Sequence, residues 1–269
     1  MIRTSVLLGL VAAIFAGLGW LFGADVAAVA LAVAVAAVFW EASPDTLLSR
    51  LGARKIAEVE LLATVRRLAE RAGVPAPAVF EIEERQANAF AAGLTPSSAA
   101  LVLTTGLRRT IRGAELEAVL GHEIAHIRNR DTLAAGIGAS LVGAIVSLAL
   151  VLGALGFAMR RQGGGALIAL AVVAPVAALV LHLAAGRSSE YRADRDGAEL
   201  AGGPENMIAA LRRLDAASHR LVNKTAMRRP ALAALFIVAP LPATWLSRVF
   251  STHPPIAARI RRLEMLMRA

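Results

Sequence analysis

The sequence contains no cysteine, which excludes disulfide staples, thiolate metal ligands and a cysteine nucleophile together. Any metal the chain holds must therefore sit on histidine and carboxylate side chains. Charge is scarce: Asp, Glu, Lys and Arg make up 18% of the 269 residues, against about 25% in ordinary soluble domains. Aromatic residues are scarcer still, at 4% with a single tyrosine, and no basic module interleaved with aromatics, of the kind that binds nucleic acid, is present. What is there instead is apolar, with 57% hydrophobic residues and a mean hydropathy of +0.61. A large share of such a chain must face lipid, leaving room for one modest water-exposed domain.

The charge that remains is one-sided. Lys and Arg number 29, nearly all of them Arg, against 20 acidic residues, a net charge of +9. Doublets such as Arg66/Arg67, Arg108/Arg109, Arg212/Arg213 and Arg228/Arg229 are scattered along the chain. Attraction to an anionic cytoplasmic leaflet accounts for them better than nucleic acid does, so a lipid bilayer is the expected partner and nucleic acid is not.

Four runs hold no Asp, Glu, Lys or Arg: residues 4–24, 26–40, 132–159 and 162–186. About 20 helical residues cross a bilayer core, so the first, third and fourth are long enough. The second is short, but Trp40 suits the interfacial belt and Glu41 can reach water before Ser43-Pro44 ends the helix. A cleaved signal peptide is the alternative for the first run, which follows Met1-Ile2-Arg3. A second apolar run beginning just past Gly23-Ala24-Asp25 favours an uncleaved hairpin. A fifth uncharged run, 231–247, carries Pro240 and Pro242 and reads as an irregular surface or interfacial segment. The expected architecture is an α-helical integral membrane protein with four transmembrane helices in two hairpins, 1–42 and 132–186. Between and after them lie two parts of a water-exposed α+β domain, 43–131 and 187–269. Arginine concentrates in those two parts, which places them and both termini in the cytoplasm; Arg160 and Arg161 oppose that orientation.

In residues 54–72 the apolar positions Ile56, Val59, Leu62, Val65, Leu68 and Ala72 recur at helical spacing, and Gly73 and Pro75 end the pattern. Short β-like runs follow at 78–82, 87–91 and 99–104, separated by turn-forming residues. After Gly113, Glu115 and Glu117 place negative charge at the positive end of a new helix.

That helix carries His122-Glu123-Ile124-Ala125-His126. Histidines four apart share a helical face and can bind one metal, with Glu123 close enough to act on a water at that metal. Shuffling this composition would produce the motif in roughly 0.5% of chains, so a pair of unliganded histidines is a poor alternative. A catalytic zinc takes three protein ligands and an open position. Glu190, in Ser188-Ser189-Glu190-Tyr191-Arg192-Ala193-Asp194, supplies the inferred third, and Asp194, one turn on, can orient a ligating histidine through its second nitrogen. Taken alone, that segment favours a solvated face in which Arg187, Arg192 and Arg195 pair the acids. His126 stands six residues before the third apolar run and Glu190 four after the fourth, so a metal between them would lie near the membrane surface.

His-Glu-x-x-His between two hydrophobic hairpins, followed by Glu-Tyr-Arg-Ala-Asp, resembles the HtpX family of membrane-bound zinc metalloproteases, of the gluzincin group. Asn88-Ala89-Phe90-Ala91 resembles that family's substrate-side strand, and Ser251-Thr252-His253-Pro254-Pro255-Ile256-Ala257-Ala258-Arg259 its C-terminal segment. The resemblance runs over essentially the whole chain. It implies one zinc ion on His122, His126 and Glu190, Glu123 as general base, and an extended substrate on residues 88–91. It also implies an oxyanion role for His253 together with Arg259, although a histidine before two prolines is by itself only a residue in a rigid loop. The implied activity is hydrolysis of damaged or misfolded membrane proteins, or of unfolded proteins, at a bacterial-type inner membrane. The loop at 160–165 is too short for a folded external element. Three other readings compete: a processing peptidase like the CAAX prenyl proteases, a non-hydrolytic zinc scaffold, and a transporter, for which His182 within the fourth run is the one pointer. Glu199 is the alternative third ligand.

Overall fold

A computed structural model describes residues 44–93, 95–218 and 253–268. The first two expected spans and the run 231–247 lie outside the described residues. The described chain falls into two compact units, one of Leu133–Ala185 and one drawn from Ala42–Thr132 and Gly186–Ala269.

The second unit begins with α1 (Pro44–Leu51), β1 (Arg54–Lys55) and α2 (Val59–Ala72). Helical periodicity extends back to residue 54, yet the helix starts only at Val59. Arg54 and Lys55 pair with Glu81 and Phe80 instead, and the Ile56 N–H donates to the Val79 carbonyl, so these residues complete a sheet edge. Within the helix Val65, Leu68 and Ala72 lie on the buried face as expected, joined by Leu61 and Ala69, whereas Val59 is exposed and Leu62 only partly buried; Gly73, at φ 68, turns the chain out of the helix.

β2 (Ala78–Ile82), β3 (Ala89–Ala92) and β4 (Ala100–Thr104) complete a four-stranded sheet ordered β1-β2-β4-β3. β4 runs parallel to β2 and antiparallel to β3, which leaves β3 at the edge. All five residues of β4 are buried, as expected for a central strand covered on both faces. On one face Leu47, Leu48, Ile82, Phe90 and Val102 cluster; on the other Leu101 and Leu103 meet Leu68, Val119, Leu120 and Ile124. Each fully buried side chain of that size contributes roughly 1.5–3 kcal/mol relative to exposure.

α3 (Thr105–Thr110) follows, capped by the Thr104 hydroxyl accepting from the Leu107 N–H. Next comes α4 (Gly113–Asn129), buried continuously from Ala118 to Ala125. α5 (Asp131–Ala158), α6 (Gly165–Leu200), α7 (Pro204–Ser218) and α8 (Ile256–Leu266) complete the described elements. Met207 and Leu211 of α7 and Leu263 of α8 pack with Ala118 of α4 and Ala198 of α6. α4 meets α6 through two glycines: a Cβ on Gly121 would lie 2.7 Å from the Gly197 carbonyl oxygen, and one on Gly197 only 2.5 Å from the His122 nitrogen. The two helix backbones thus touch beside His122.

The first unit is a helical hairpin. Residues of α5 and α6 in this unit are joined through a short turn at Arg160–Gln162, and Gly156 and Gly164 allow close backbone approach. Among the described residues, α6 contains an 18-residue window of mean hydropathy 2.6 with none of it buried. Leu170, Val172, Val173, Val176, Val180 and Leu181 stand exposed on it. A row of that kind is tolerated in lipid rather than in water.

Candidate metal centre

Burial leaves the motif on α4 nowhere to hide its polarity in water: His122 and Glu123 are almost wholly buried, in a position that is costly unless the groups are partnered. The partners come from α6 and the start of α8. His122 Nε2 and His126 Nε2 lie 3.1 Å apart, and the Glu190 oxygens lie 3.7 Å from the first and 3.4 Å from the second. All three donor atoms fall within 4.8 Å of one another. Tetrahedral ligands at zinc distances would stand about 3.3 Å apart. The residues present therefore fit a small divalent ion.

The nitrogens turned away from this point are also held. Asp194 Oδ1 lies 3.1 Å from His122 Nδ1, and Asp131 Oδ2 lies 2.9 Å from His126 Nδ1. A carboxylate only accepts, so the His126 Nδ1 carries the hydrogen and its Nε2 presents a lone pair inward, while Asp194 stands close enough to pair with His122 Nδ1 without the alignment of a formed hydrogen bond. Arg259, with its side chain fully enclosed, donates from Nε to Asp194 Oδ2 at 2.8 Å and from Nη2 to Oδ1 at 2.6 Å, while its Nη1 stands 3.3 Å from Glu190 Oε2. His253 Nδ1 lies 3.1 Å from the same Glu190 oxygen.

The electrostatics follow from this packing. Burial raises the Glu123 carboxyl to about 7; the nearby His126 and the Ala91 N–H, which donates to it, pull the other way. Burial would raise Glu190 too, but His253, Arg259 and His126 outweigh it and hold that carboxylate well below its usual range. Asp194 is likewise held low by Arg259 and His122 against its burial. Burial dominates at His122 and lowers its basicity. At His126 burial acts in the same direction but is overcome by Asp131 and Glu190, which leave it well above the ordinary value.

Of the residues singled out by sequence, His122, Glu123, His126, Glu190, Asp194, His253 and Arg259 come together here. Asn88 is buried just before β3, its Oδ1 accepting from the Ala89 N–H at 3.1 Å, and the Phe90 ring is buried in the core, so residues 89–91 offer backbone rather than side chains. Glu199 is exposed and outside the donor cluster. His182 belongs to the first unit. Asp131 escaped the sequence reading, and Arg192, expected among the partners of Glu190 and Asp194, instead donates from Nη2 to Asp131 Oδ1 at 2.5 Å. The signal for Asp131 was an acid five places beyond His126, out of reach along an unbroken helix.

A sheet edged by β3, a buried His-Glu-x-x-His helix against it and a carboxylate from a second helix define a metalloprotease, and residues 55–267 match the model of peptidase family M48. The chain belongs to that family, whose members imply a metal ion at this centre, and within it to the HtpX group. It is 42% identical over 276 residues to a protease HtpX homolog of Acidiphilium cryptum (strain JF-5), covering 98% of this chain and 96% of that protein. The crystal structure of S. mikatae Ste24p shares the fold, with a TM-score of 0.57 at 20% identity over 98% of this chain; the match spans 64% of that longer chain. The protein is thus a membrane metalloprotease.

Proposed function

We propose that the chain is a zinc-dependent endopeptidase that cleaves damaged or misfolded membrane proteins at the cytoplasmic face of a bacterial-type inner membrane, in which it is a multi-pass protein. The observation that carries this reading is the convergence of His122, His126 and Glu190 beside a separately buried Glu123 that touches the edge strand. Two imidazoles, one carboxylate and no thiolate anywhere in the chain suit catalytic zinc. When bound, the ion supplies Lewis acidity to the scissile carbonyl and the attacking water. Glu123, with its carboxyl near neutrality, takes the proton from that water and passes it to the leaving amine. An extended substrate adds as a strand along β3, where backbone pairing gives affinity with little demand on sequence, a property suited to clearing varied unfolded chains. His253 donates to the tetrahedral oxyanion. Arg259, whose guanidinium is taken up by Asp194 and Glu190, serves by holding those carboxylates in place.

Metal analysis and proteolysis assays on detergent-purified protein test this directly. Glu123→Gln is expected to keep about one zinc per chain and lose at least ~100-fold in the hydrolysis of an unfolded protein, because the amide keeps the packing but cannot accept a proton. Turnover above about a hundredth of the parent's would remove Glu123 as base, and a stoichiometric ion other than zinc would replace zinc in this account.

A further inference from the structure

Asp131 stands five positions after His126, and on a continuous helix that spacing turns two side chains about 140° apart and carries them about 7.5 Å along the axis. They meet nevertheless, at 2.9 Å. The reason lies between them. α4 ends at Asn129, Arg130 takes the left-handed conformation at φ 55, and α5 restarts at Asp131. Arg130 is the one non-glycine residue with positive φ among the described residues, in a conformation that a residue bearing a Cβ adopts at a cost. Its N–H closes the end of α4 on the His126 and Ile127 carbonyls. The break swings the first carboxylate of α5 back onto the imidazole.

We propose that Asp131, delivered by the left-handed turn at Arg130, is a positioning residue for the metal centre. It fixes the ring of His126 and, through Arg192, ties that ring to the helix bearing Glu190. The inference rests on the reading of His122, His126 and Glu190 as metal ligands. Arg192 is two residues from Glu190 and donates to the Asp131 oxygen that His126 does not use. The arrangement repeats the one at the other histidine: His126, Asp131 and Arg192 on one side, His122, Asp194 and Arg259 on the other. Each ligating imidazole is backed by a carboxylate, and each carboxylate by a guanidinium from elsewhere in the chain. Next to Asp131, the Thr132 hydroxyl donates to the Gly93 carbonyl at 2.7 Å, so the same turn also anchors the loop that follows β3.

The test uses the full chain in detergent, with zinc affinity measured by competition against a chromophoric chelator and ligand geometry read from the visible spectrum of the cobalt-substituted protein. Asp131→Ala is expected to weaken zinc by about 10- to 100-fold and to alter the cobalt spectrum. Asp131→Asn, whose amide oxygen still accepts from His126 Nδ1, is expected to recover most of that loss. Arg130→Gly should keep the parental affinity, since glycine enters the left-handed region freely. If Asp131→Ala fails to fold, Arg192→Gln replaces it, with a smaller loss in the same direction expected and unchanged affinity counting against the proposal. A parent that binds zinc and an Asp131→Ala variant that binds it equally well, with the same spectrum, would overturn this inference alone. An asparagine variant as weak as the alanine one would overturn the orienting role. A parent that binds no metal would sink the metal-centre reading first and this one with it.

Discussion

Arg259 holds its charge almost wholly out of water, and the two carboxylates it faces, Asp194 and Glu190, are themselves buried. Truncating one member of such a cluster leaves the others uncompensated, so Arg259→Leu is expected to cost about 3–5 kcal/mol, read as a lower thermal midpoint in both metal-free and metal-loaded protein. Arg259→Lys should rescue little, because an ammonium cannot make the forked contact to Asp194. An unchanged midpoint in the leucine variant would show that the clamp does not stabilise the fold. His253 poses a different question, because it stands 3.1 Å from Glu190 and near the donor atoms. As an oxyanion donor, its replacement by alanine should lower kcat by roughly 10²- to 10³-fold with KM and zinc content nearly unchanged. Loss of zinc in His253→Ala would instead make it part of the metal's support. At this scale the sequence was informative where spacing alone brings groups together, as in His122 and His126. It was silent where a backbone turn does so, as at Asp131, since nothing in an arginine announces a left-handed residue.

At the scale of elements, the contact of α4 with α6 at Gly121 and Gly197 controls how the donors from two helices meet. A methyl group at Gly197 would press on the His122 backbone at 2.5 Å, and neither helix can yield without moving a ligand. Gly197→Ala is therefore expected to cost about 1–3 kcal/mol by overpacking and to weaken metal binding as well. Parental affinity in that variant would mean that the helices can separate without disturbing the centre. The periodicity of α2, the three strands and the start of α4 after Gly113 were all legible, to within a few residues, from apolar spacing and turn residues. The start of α2 was not, because Ile56 fits a helical stripe and a sheet edge equally well, and the hydrogen bond to Val79 that decides between them depends on residues more than twenty places away. Strand order was illegible for the same reason: β2 lies beside β4 rather than beside β3, its neighbour in sequence.

For the molecule as a whole, membrane orientation is open to a simple measurement because the chain has no cysteine. Single cysteines at Gln162, Ser97 and Ala216, all exposed positions, can be probed with an impermeant thiol reagent added to intact cells. Only Gln162→Cys is expected to react, as the distribution of arginine implies; labelling at Ser97 would overturn the cytoplasmic placement of the protease unit. Composition alone made membrane residence legible, since uncharged runs of this length have no other common use. The donors to the centre are also spread along the chain in a telling order: His122 and His126 before the second hairpin and Glu190 after it. A nascent chain emerges from its N-terminus at about 5–20 residues per second. A growing chain therefore lacks a complete metal centre until both apolar runs of the second hairpin have been synthesised, so the segment that holds this protease in lipid exists before the chain can cut.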